Sequence, residues 1–194
     1  MSTDSFDFSD IPDESALEGN TPVKEGTYHF VVEKVDPEHV SSKKGTPGIE
    51  FVLQVLAGTD DQKGKKLFET FYLPSSEQAD GGEFLTKRIA KIAVTLDLIP
   101  PTDLGRAGVK IPWEKALARQ FIAVVKHEEG EKGRVNAGID GLKMYRVTDP
   151  EVVEIPKSPE GLAMMGLPPE GGSAEQPAAQ PEAAPAKATS IADL

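Results

Sequence analysis

The chain has 194 residues, 38% of them hydrophobic and 6% aromatic, which suits one domain of ordinary size with unstructured additions and excludes two full domains. It contains no cysteine, so disulfides, thiolate metal sites and cysteine nucleophiles are excluded. The formal net charge of -11 lies in the ends: residues 1–20 carry six acids and no Lys or Arg, residues 150–194 carry seven acids against Lys157 and Lys187, and the segment between carries nineteen charges of each sign.

In chain order, the first element is an acidic arm, residues 1–20, with Phe6, Phe8 and Ile11 set among Asp7 and Asp10. It has no basic start followed by an apolar run, so no secretory signal is read here, which predicts a cytoplasmic protein. The aliphatic stretches, such as Phe121 to Val125, are far shorter than the roughly 20 residues that cross a bilayer, so no membrane partner is expected.

From residue 21 the apolar period is two. Tyr28, Phe30 and Val32 alternate with His29, Val31 and Glu33, and Ile49, Phe51, Leu53 and Val55 alternate with Glu50, Val52, Gln54 and Leu56, giving two strands. Ser41 to Gly48, punctuated by Gly45, Pro47 and Gly48, is the connection between them. Asp60 to Gly64 makes the next turn, and Leu67 to Leu73 a third strand. Leu85, Ile89, Ile92 and Leu96 then recur at helical spacing, with Asp80 three residues before Glu83 as a capping box and Pro100-Pro101 as the stop. After a short turn at Trp113 to Arg119, alternation returns in Phe121 to His127 and in Val135, Ala137 and Ile139. From residue 150 onward, eight of the sixteen prolines and an Ala, Pro, Glu and Gln composition predict a disordered tail, because too little apolar surface is available to offset ordering entropy.

Three strands, a helix and two strands in the 21–149 domain predict an OB-like five-stranded barrel with one helix between strands 3 and 4, although other α+β arrangements share that order. Four segments carry a more specific likeness: Pro22-Val23-Lys24-Glu25-Gly26-Thr27-Tyr28, Ser42-Lys43-Lys44-Gly45-Thr46-Pro47, Gly64-Lys65-Lys66-Leu67-Phe68-Glu69 and Phe121 to Glu129. Over roughly residues 6–145 the chain resembles a phage family of small proteins long described as of unknown function and associated with recombination and replication genes. The resemblance implies single-stranded-DNA binding through an OB-like barrel, and the cytoplasm of a host cell as the location.

For catalysis the residues offer little. His29, His39 and His127 include no pair at i, i+4, no phosphate loop follows a strand, and the carboxylates Glu50, Glu69 and Asp140 are a trio that any acidic protein contains. No catalytic residue, metal or cofactor is assigned, and a non-enzyme is expected. Binding of single strands needs cations for phosphates and flat side chains for stacking. Lys43 and Lys44 lie in the first loop, and Lys65 and Lys66 precede the third strand. Phe68 and Tyr72 are assigned to its outer face, because the phenol and Thr70 tolerate water; the competing reading has them cover the barrel end or pack under the helix. Lys87, Arg88 and Lys91 make a basic stripe on the helix, and Lys126, Lys132 and Arg134 flank the last hairpin beside Glu128, Glu129 and Glu131. Trp113 reads as an anchor of its turn on the core, and His127 as a strand-end polar residue. The expected partner is single-stranded DNA, with replication or recombination proteins recruited by the acidic tail; the alternative is an adaptor that presents a sheet face to another protein.

Overall fold

Alternating apolar residues on successive strands give one five-stranded antiparallel sheet, seen in a computed structural model that describes residues 21–42, 44–74, 82–130 and 135–168. The strands are β1 (Gly26–Val40), β2 (Pro47–Gly58), β3 (Lys66–Tyr72), β4 (Gln120–Glu129) and β5 (Val135–Tyr145), with helix α1 (Gly82–Thr95) between β3 and β4. The sheet order is β3-β2-β1-β4-β5. The element order and the helix position agree with the sequence reading; a closed barrel does not, because no backbone ladder joins β3 to β5. No helix among the described residues is long and apolar enough to cross a membrane. The capping residue expected at Asp80 lies outside the described residues.

The inward faces make one core. Tyr28, Phe30 and Val32 of β1, Phe51, Leu53 and Val55 of β2, Leu67 and Phe71 of β3, and Ala123 and Val125 of β4 are buried together with Ile92 of α1 and Leu96 just after it. Edge-to-face packing of Phe51 on Phe71 at 5.4 Å fixes β2 against β3, and Trp113, in a short 3-10 turn (Trp113–Ala116), stands edge-on to Phe51 at 6.0 Å. Trp113 thus anchors its turn on the core.

β1 is longer than its alternation suggested. Its second half, Lys34 to Val40, contains Pro37, which has no amide to donate; the ladder to β2 slips between Asp36 and His39, so Pro37 falls at a bulge, where the missing donor costs no ladder bond.

The boundary at residue 149 moves. A 3-10 turn (Pro150–Val152) and a short helix α2 (Pro159–Met164) pack on the outer side of β1 and β4, with Val152 and Leu162 buried. Ser158 caps α2 by accepting from the Gly161 amide, the Ser158 amide donates to Nδ1 of buried His29 at 3.2 Å, and Gln120 Nε2 donates to the Gly161 carbonyl at 3.0 Å. Gly161 packs closely against the sheet: a Cβ there would stand 2.9 Å from Gln120 Oε1 and 3.0 Å from Leu56 Cδ1, so those side-chain ends would have to move to admit one. Composition predicted disorder because this segment is held mainly through polar and backbone groups, with only two buried apolar side chains. The acidic arm (1–20) and residues 169–194 lie outside the described residues.

Candidate nucleic-acid interface

β3 alternates strictly. Leu67, Glu69 and Phe71 point inward, and Phe68, Thr70 and Tyr72 point outward. The outward assignment of the two aromatics therefore agrees with the structure: Phe68 is 57% exposed and Tyr72 38%. Both line a groove of about 360 Å³ between β3 and β5, whose far wall is Asn136 to Ile139 with Gly141, and whose end is closed by Phe84 and Arg88 from α1. A second groove on the other side of Phe68, lined by Val23, Lys66 and Val135 among others, shares Asn136 and Ala137 with the first. Phe68 is thus flanked by open space on both sides. Phe84, 49% exposed, is the third aromatic of the groove and the one that sequence reasoning missed; its only signal was a position just outside the Leu85, Ile89, Ile92 stripe.

The floor of the groove is a buried ion pair. Glu69, placed on the inner face of β3 between Leu67 and Phe71, is answered by Arg88, whose Nη2 donates to Oε1 at 2.9 Å. The second carboxylate oxygen accepts from the Ile139 amide of β5 at 2.6 Å. Arg88 donates further to the carbonyls of Ile139 (3.1 Å) and Gly141 (3.2 Å), and its guanidinium lies 4.8 Å over the Phe71 ring. Side chains therefore bridge β3, α1 and β5 where backbone pairing is missing. Burial pushes the Glu69 carboxyl up, opposed by the Arg88 charge and the Ile139 amide. Gly141, at φ +54°, gives the left-handed backbone that lets this carbonyl face Arg88, and a Cβ there would already touch Phe84.

This corrects the reading of Arg88. Its side chain is 14% exposed and bound to the fold, so it is not a free member of a basic stripe. The stripe as a whole is occupied: Lys87 pairs with Glu83 at 2.6 Å, and the Lys91 ammonium lies 5.6 Å over the Tyr145 ring. Lys66 pairs with Glu33 at 2.7 Å. Lys126 and Lys143 share Asp140, at 3.2 and 2.7 Å, and the Lys143 hydrogen bond holds the Asp140 carboxyl below its ordinary range. Lys44 and Lys65 make no ion pair among the described residues; Lys43, Lys132 and Arg134 lie outside them. His127 is a strand-end residue whose ring contacts the Val23 carbonyl at 2.8 Å.

The carboxylates Glu50, Glu69 and Asp140 do not meet. Glu69 belongs to Arg88, Asp140 to two lysines, and Glu50 stands 3.7 Å from His39. Chemically the groove offers stacking faces, a satisfied floor, and hydrogen-bonding groups at its edge in Asn136 and Glu128.

Among known families, residues 10–152 match one whose description reads "Protein of unknown function (DUF669)". The match ends before α2. No curated protein matches the chain.

Proposed function

Since that match spans most of its length, the chain belongs to the DUF669 family, and we propose that it binds single-stranded DNA, without catalysis, in the groove between β3 and β5. The observation that carries this is the set of outward aromatics, Phe68, Tyr72 and Phe84, around one open groove. Unpaired bases stack on such faces regardless of sequence, at roughly 1–3 kcal/mol per base. The sheet order β3-β2-β1-β4-β5 is the ring order of an OB-fold cut between β3 and β5, and we read the Arg88–Glu69 bridge as the closure of that ring. In this architecture the outer face of β2 and β3 and the loops β1–β2 and β4–β5 contact the strand; here those loops carry Lys43 and Lys44, and Lys132 and Arg134. The phage setting, in replication or recombination, comes with this reading, and the acidic ends are assigned to competition with DNA and to recruitment of partner proteins.

The adaptor reading draws on one observation, Glu128 at the groove edge, where a carboxylate repels phosphate and suits a basic partner. A fluorescence-anisotropy titration with labelled oligo-dT at low and moderate salt separates the two. Tight binding that falls steeply with salt, with duplex of equal length bound more weakly, supports the DNA reading. Flat titrations, or equal affinity for duplex, overturn it.

A further inference from the structure

On the same outer face, a second constellation is built across two strands. Asp36 of β1 and Glu50 of β2 are direct cross-strand partners, and Glu50 in turn faces Thr70 of β3. Two carboxylates directly opposite each other destabilise a ladder unless a cation lies between them. No Lys or Arg is ion-paired to either among the described residues. The bulge between Asp36 and His39 turns the His39 imidazole onto the same spot, with Nδ1 3.7 Å from a Glu50 oxygen, longer than a hydrogen bond. One Asp36 oxygen accepts from the Glu38 amide at 3.1 Å, which orients that carboxylate without using its full accepting capacity. All three residues are half-buried, and one donor atom from each lies within 4.8 Å of the others.

We propose that Asp36, His39 and Glu50 hold one divalent transition-metal ion, of the Zn2+ or Mn2+ kind. The donors are one imidazole nitrogen and two carboxylate oxygens, a set that suits these ions and offers no thiolate for softer ones. Around a tetrahedral ion with bonds near 2.0–2.1 Å, ligand atoms sit about 3.4 Å apart, so small side-chain rotations close the observed arrangement. Three protein ligands leave a coordination position for water or another oxygen donor. The ion neutralises the facing carboxylates and ties the far ends of β1 and β2 together beside the loop that carries Lys44. The proposal is independent of DNA binding. A search of the sequence for helical histidine pairs does not find it, because its ligands come from a bulge and its opposite strand.

The test is a Zn2+ titration of the full chain, free of chelator, read by calorimetry and by the melting temperature. One equivalent should bind at micromolar affinity and raise the melting temperature, whereas His39→Ala and Glu50→Gln should each weaken binding at least tenfold and abolish the rise. His127→Gln, at a histidine outside the cluster, should bind as the parent does. Far-UV circular dichroism of each variant without metal verifies that it is folded. Co2+ absorption in the visible region, present in the parent and lost in His39→Ala, gives a second readout. Absence of a saturable site below millimolar Zn2+, or unchanged affinity in His39→Ala, overturns the proposal.

Discussion

β1 is joined to β4 by a run of backbone pairs from Gly26↔Val125 to Val31↔Gln120, whereas β3 is joined to β5 by one carboxylate, one guanidinium and a single amide. The first junction draws on groups that every residue carries, so most side-chain changes leave its ladder in place. The second is written in two residues. A seam made of side chains can lie under an open groove, since it needs no continuous pairing of strands; it can also be broken by one substitution.

The largest effect should therefore come from the seam. Arg88→Met leaves Glu69 buried without its cation, and removing one partner of a buried pair typically costs about 3–5 kcal/mol. The loss has a pH signature. Burial already holds the folded-state pKa of Glu69 above its unfolded value, and losing Arg88 raises it further, so the folded state binds the extra proton and stability falls more steeply as pH rises through that window. Urea unfolding of Arg88→Met at pH 5 and pH 8 should show the larger deficit at pH 8; an equal deficit at both would mean that Glu69 stays ionised or relocates.

Ending the chain at residue 149 should come next. It strips Val152 and Leu162 from the outer side of the sheet and removes the groups that contact His29 and Gln120, at a cost of roughly 2–4 kcal/mol, read as a lower melting temperature. A chain ending at residue 168 keeps α2 and should melt like the full protein. Equal melting of the 149 and 168 variants would show that α2 adds nothing to stability.

Much of this contrast was legible in the residues. The alternation of β1 to β3 and the period change at Leu85 gave the strands, the helix and the outward aromatics. Glu69 was not legible, because a charged residue in the register of Leu67 and Phe71 reads as an interruption of the core until its partner, 19 positions away, is known. Arg88 misled for the same reason: three cations at helical spacing look alike, and only tertiary contact separates the one turned inward. Phe84 and α2 escaped because neither shows a period, and both are defined by what lies across from them.

Smaller effects test the outer face. Phe68→Ala, Tyr72→Ala and Phe84→Ala should each weaken oligo-dT binding by roughly 1–3 kcal/mol with little change in melting temperature. Loss of stability with unchanged affinity would assign these rings to packing. The smallest expected change is Lys44→Ala, which should lower the slope of log affinity against log salt by about one phosphate contact. Lys87→Ala, which releases only the exposed Glu83, should leave both stability and that slope unchanged, and a reduced slope would place the helix stripe on the DNA.

The placement of Trp113 has an optical consequence. It is the chain's sole tryptophan, it stands edge-on to Phe51, and it is absent from the groove lining. Its emission therefore follows the integrity of the β2 core, while any quenching by a stacked base would have to arise from the tyrosine band and Tyr72. Excitation at the red edge of the absorption spectrum watches folding, and excitation near the tyrosine maximum also senses the groove, so one unlabelled sample carries two separable signals.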